Sequence, residues 1–179
     1  MTSVPSHVTP LRLVQHAAID LARIEPLFRD EGIAWLGTPV EPAHPGSRRY
    51  LTDLSLPIRD HAPSLTFKKA AFVDLGEIQR VGGVCEIEIG WQSSSLAPLF
   101  PVFAGRLTLT STELRLEGYY APPGGEIGAV LDKAFLGIAA RGTARWFLER
   151  TAKAVAAADS AELADSAELA DSAASNTAG

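Results

Sequence analysis

Hydrophobic and polar positions alternate through most of the middle of the chain. Cys85, Ile87, Ile89 and Trp91 alternate with Glu86, Glu88 and Gly90, and Leu107 and Leu109 with Arg106, Thr108 and Thr110. Leu114, Leu116, Gly118 and Tyr120 alternate in turn with Glu113, Arg115, Glu117 and Tyr119. A period of two gives each segment one buried and one solvated face, the signature of an antiparallel sheet covered on one side. Tyr50, Thr52, Leu54 and Leu56 repeat the pattern, as does the run from Leu65 to Leu75, where Phe72 adds bulk to the other face. Gly76 and Gly82-Gly83 are expected to bracket a turn, and Ser111-Thr112 to close a hairpin. After Pro122-Pro123-Gly124-Gly125 the period lengthens to that of a helix, expected to run to about Val155.

Towards the start the signals are shorter. Leu11 to Gln15 reads as a strand. Asp20 is placed to cap a helix carrying Leu21, Ile24, Leu27 and Phe28 on one side. Pro26 interrupts that pattern, which predicts two short helices rather than one. Gly32 ends them, and Ile33 to Leu36 is apolar enough for a strand. Residues 37–47, with three prolines and two glycines, predict a loop. Gln92 to Phe103 predicts a wide connection.

Composition narrows the partners. At 179 residues, 46% hydrophobic and 21% charged, the chain has the make-up of one globular domain with a substantial core. Apolar runs are interrupted within a few residues, so no transmembrane segment is expected. A single cysteine excludes an internal disulfide and fits a cytoplasmic protein. Asp159, Glu162, Asp165, Glu168 and Asp171 lie in a tail without Lys or Arg. Setting those five aside leaves 16 acids against 16 bases, so residues 1–158 are formally neutral. A neutral body lacks the basic excess that phosphate contacts require, and nucleic acid is not an expected partner. The tail repeats Asp-Ser-Ala-Glu-Leu-Ala with a period of six, which makes no continuous helical stripe and predicts disorder over 159–179. Residues 1–10 read as a flexible arm, leaving 11–158 as the domain.

The order of elements is strand, two short helices, six further strands and a long C-terminal helix. It resembles the START-like superfamily, also called the SRPBCC or helix-grip fold, which includes the birch-pollen-allergen family, aromatic polyketide cyclases and lipid-transfer domains. The resemblance covers roughly residues 10–157. It implies an α+β fold in which a curled antiparallel sheet of about seven strands wraps the long helix around an apolar cavity. It implies no residue role, because the superfamily has no universal catalytic signature.

The candidate chemistry is sparse. His7, His16, His44 and His61 are scattered, without metal-ligand spacing to each other or to Cys85, so no metal is expected. Ser93-Ser94-Ser95 lacks a nucleophile-elbow setting, and Cys85 reads as buried. Gly124-Gly125-Glu126-Ile127-Gly128 opens a helix but lacks phosphate-loop and dinucleotide spacing, so no cofactor is expected. Glu86 and Glu88 share the outer face, where cross-strand pairs with arginine are expected. Tyr50, Trp91 and Tyr120 all fall on the inner face near strand ends. They make either ordinary core or the wall of a small-ligand pocket with a few donors. Counting 100° per residue from Ile127 puts Leu131, Ile138, Arg145 and Glu149 on one inward row. The charged pair then either closes a cavity and anchors a polar head group or stands in solvent. Trp146 is expected to be buried, with Gly142 letting the helix approach the sheet.

The site expected from these residues comprises Tyr50, Ile89, Trp91, Leu116, Tyr120, Ile138 and Arg145. Its expected ligand is an apolar small molecule, lipid-like or aromatic. A cyclase or dehydratase using the same cavity is the alternative, and a ligand-free interaction module built on the Ser94–Phe103 loop is a third.

Overall fold

A computed structural model of the chain describes residues 8–29, 33–57, 66–94, 102–121, 137, 140–158 and 160. Strand β1 (Thr9–His16) is followed by α1 (Leu21–Arg29), a short β2 (Thr38–Val40), β3 (Arg48–Pro57), β4 (Thr66–Val81), β5 (Val84–Ser93), β6 (Val102–Leu109) and β7 (Glu113–Ala121). A C-terminal helix, α2, covers 140–158, with Gly137 and Ser160 also helical. The seven strands form one antiparallel sheet in the order β1-β7-β6-β5-β4-β3-β2. The fold is therefore α+β, a curled antiparallel sheet with a C-terminal helix.

Alternation sets the two faces as expected. Leu54, Val73, Leu75, Ile87, Leu107, Leu109, Leu114 and Leu116 are fully buried on the inner side. Both helices cover that side. Phe28 of α1, Trp35, Phe147 of α2, Trp91 of β5 and Phe103 of β6 form a continuous chain of rings. Successive centroids lie 5.9, 6.1, 6.1 and 4.1 Å apart. Arg150 on α2 donates from Nε to the Trp35 carbonyl at 2.7 Å, fastening the helix to the turn after α1.

Several elements differ from the sequence expectation. α1 is one nine-residue helix that continues through Pro26. Asp20 caps it, its Oδ1 accepting from the Ala22 N–H at 3.0 Å. Pro26 is exposed, while Ile24 and Phe28 on either side of it are buried. That packing holds the last turn despite one missing backbone bond. Ile33 to Leu36 is a turn, closed by the Leu36 N–H on the Ile33 carbonyl at 2.9 Å, and the strand there is instead β2. Pro39 is tolerated in β2 because an edge strand leaves one side unpaired. Thr9 and Pro10 belong to β1 rather than to an arm. Gly76 marks no turn. β4 runs on for 16 residues with a register shift between Leu75 and Ile78, and the chain reverses only at Gly82-Gly83, whose φ angles of 57° and 82° suit a tight hairpin. β6 begins at Val102, inside the expected connection.

The inward face of α2 also differs. Ala140, Thr143, Ala144, Phe147, Leu148, Thr151 and Val155 are buried, whereas Arg145 and Glu149 are exposed. The centre of the buried stripe is turned by about 140° from the row through Arg145 and Glu149, nearly to the opposite side of the helix. Two threonines and two alanines hide it from a hydrophobic pattern. Trp146 is only half-buried, with the Arg150 guanidinium 5.2 Å from its ring centroid, and Phe147 is the fully buried aromatic of the helix.

Candidate functional site

Register brings the expected aromatic residues together. Tyr50 faces Val73, Val73 faces Trp91, Trp91 faces Phe103 and Phe103 faces Tyr120, so one inner-face row crosses β3 to β7. Tyr50, Trp91 and Phe103 are each 2% exposed and Tyr120 is 8% exposed. The next row runs Leu75, Ile89, Gly105, Gly118 and Leu11. Leu116 lies one row further on, opposite Leu107 and Leu13.

Phe103 belongs to this group and was hidden in the expected connection. The signal was present: Phe103, Gly105, Leu107 and Leu109 continue the period of two backwards from the assigned strand. Its ring leans over both glycines. A Cβ at Gly105 or Gly118 would lie 2.6 or 2.8 Å from Phe103 Cζ and would also overlap backbone of the paired strand. Gly118 sits under this ring and lets β6 and β7 approach closely on the inner side. Trp91 stacks on Phe103 at 4.1 Å with 17° between the planes.

Of the remaining expected residues, Ile138 lies outside the described residues. Arg145 points to solvent rather than into the interior. Gly137 marks where the helix meets the row, since a Cβ there would lie 3.4 Å from the Tyr120 hydroxyl. Residues 122–136, 138 and 139, over which much of the helix side of the expected cavity was read, lie outside the described residues.

Polar groups in this interior are unusual. Trp91 Nε1, Trp35 Nε1 and Thr143 Oγ1 are buried and have no hydrogen-bond partner among the described residues. All three belong to the surroundings of Phe147: both indoles are in ring contact with it, and Thr143 lies one helical turn before it. Thr151, one turn after, differs, because its hydroxyl donates to the Phe147 carbonyl at 2.9 Å. Neither Trp35, read as part of a strand, nor Thr143 was singled out from sequence. A threonine flanked at helical spacing by Ala140, Ala144 and Phe147 was the available sign.

The outer face is ionic. Arg49 clamps Asp74 through two hydrogen bonds of 2.7 and 2.9 Å and lies 5.1 Å from the Phe72 ring centroid. The hydrogen bond to Asp74 raises the Arg49 pKa, and burial opposes it. Arg106 pairs with Glu86 at 3.0 Å, Arg12 with Glu117 at 2.9 Å, and Arg115 with Glu113. Glu86 is thus a cross-strand partner, as its position predicts. Two solvent-open depressions of about 610 and 740 Å3 lie on this face and share Glu88, Ala104 and Gly105. Gly90 and Ala104, adjacent in register, leave the sheet low there.

Cys85 is fully buried, and Ser94 Oγ donates to the Ala70 carbonyl at 2.9 Å. His7, His61, Ser95 and Gly124 to Gly128 lie outside the described residues. No three His, Cys, Asp or Glu side chains converge on a metal position among the described residues. No described helix is long and apolar enough to cross a membrane. No protein-family model matches the chain, and neither the curated proteins nor the solved structures contain a match.

Proposed function

We propose that this protein binds and carries an apolar small molecule, lipid-like or aromatic, in the interior between the inner face of the sheet and α2, in the manner of a helix-grip domain. One observation carries the reading: Trp35 Nε1, Trp91 Nε1 and Thr143 Oγ1 surround Phe147, buried and unpartnered among the described residues. A buried donor without an acceptor costs about 1–3 kcal/mol. A core selected for packing alone would place Phe or Val at these positions. Polar groups kept in an apolar, aromatic-lined interior suit a small-molecule site with a few orienting donors.

Carriage is favoured over catalysis by what is buried. Among the described residues no carboxylate, histidine or amine is buried, and the buried polar residues other than the aromatics are Thr52, Thr143 and Thr151. Acid–base catalysis would need a titratable group in contact with the ligand. The test is titration with phenylnaphthylamine, an apolar dye whose emission rises in a dry site, together with native mass spectrometry of the purified protein. Saturable dye binding or a co-purifying small molecule is the expected result. The absence of both dye binding and any bound compound would overturn the reading.

A further inference from the structure

We infer that the ligand presents a neutral carbonyl oxygen to Trp91 Nε1 and Thr143 Oγ1, beside Phe147. This rests on the carrier reading and adds the chemistry of the group recognised.

The three unpartnered groups around Phe147 share one polarity; Arg48 Nη1 and Arg115 Nε, also buried without a partner among the described residues, belong to β3 and β7. An indole N–H can only donate, and a threonine hydroxyl donates while still able to accept. Two donors and a hydroxyl without partners call for an acceptor from outside the chain. Thr143 underlines this by contrast with Thr151 on the same helical face. Thr151 spends its proton on the carbonyl four residues back, whereas Thr143 has no such bond. An sp2 carbonyl oxygen has two in-plane lone pairs and can take an N–H and an O–H together.

Charge argues for a neutral acceptor. Arg145, the helix cation expected to anchor a head group, is exposed, and no Arg or Lys is among the fully buried residues described. Arg48, whose Nη1 is buried without a partner among the described residues, stands on β3, two strands away from Trp91. An anionic head group beside Phe147 would be desolvated without a fully buried cation next to it among the described residues. A ketone, ester or amide carbonyl on an otherwise apolar body meets both conditions.

The experiment uses acetylnaphthalene and ethylnaphthalene, two molecules of nearly the same shape that differ by one carbonyl oxygen. Each is titrated against bound phenylnaphthylamine on the full chain. The parent should prefer the ketone by about tenfold, the scale of one or two hydrogen bonds. Thr143→Val and Trp91→Phe should erase most of that preference and leave ethylnaphthalene unchanged. Thr143→Ser, which keeps the hydroxyl, should retain it. Should Trp91→Phe fold poorly, the Val and Ser pair at position 143 decides alone. Dye binding without a ketone preference, whether both molecules displace the dye or neither does, overturns this inference and leaves the carrier reading standing. A preference that survives in Thr143→Val also overturns it. Failure of the parent to bind the dye overturns this inference, and together with the absence of any co-purifying compound it overturns the carrier reading as well.

Discussion

On the outer face of the sheet, Arg12 meets Glu117, Arg49 meets Asp74, Arg106 meets Glu86 and Arg115 meets Glu113. On the inner face, Trp91 Nε1 finds no acceptor among the described residues, and neither do Trp35 Nε1 and Thr143 Oγ1 on the elements that cover it. The same strands build both faces. Outside, where water would satisfy each charge, pairing is worth little; inside, where an unmet donor is costly, partners are missing. Arg115 Nε on the outer face and Arg48 Nη1 are also buried without a partner among the described residues, but the other three gather about Phe147. That gathering of unmet donors about one ring is what the proposed carrier reading rests on.

The largest expected effect probes the inner face. Phe147→Ala removes the ring between two tryptophans and should cost about 3–5 kcal/mol in chemical denaturation. A loss below about 1 kcal/mol would mean that the inner layer is loosely packed. Next, Gly118→Ala inserts a methyl group against the Ala104 carbonyl and the Phe103 ring, and should cost about 1–3 kcal/mol as other overpacked sites do. A neutral result would remove the close approach of β6 and β7. Thr143→Val goes the other way. Deleting an unmet buried hydroxyl should stabilise the ligand-free protein by about 1 kcal/mol, read as a raised melting temperature. Destabilisation would show that the hydroxyl has a partner after all. The smallest effect belongs to the outer face. A double-mutant cycle on Glu86 and Arg106 should give a coupling of about 0.2–1 kcal/mol that shrinks in salt. A larger, salt-insensitive value would erase the contrast between the faces.

Much of this was legible in the sequence, and the reason is parity. In a strand each residue has only two possible directions, so Tyr50, Ile89, Trp91, Leu116 and Tyr120 could be assigned to one side without knowing which strands pair. The register that aligns Tyr50, Trp91, Phe103 and Tyr120 in one row depends on hairpin lengths and on the shift after Leu75, and parity does not carry it. The helix was less legible because its direction is continuous. A row counted from Ile127 reaches Arg145 only after 18 residues, and a small departure from 100° per residue turns the face. β2 was invisible because three residues in a Pro- and Gly-rich stretch have no pattern of their own and pair only because β3 offers an edge.

The strand order has a consequence for how the chain folds. From β2 to β7 every strand pairs with its neighbour in sequence, and only β1 pairs at long range, with Thr9 opposite Tyr120. Local hairpins close quickly, whereas bringing together ends roughly a hundred residues apart carries a larger entropic cost. β1 should therefore join late, after the meander has formed. Until it does, β7 has an open edge whose unpaired backbone groups can recruit a strand from another chain. The interval before β1 closes that edge is when newly made chains are most exposed to aggregation.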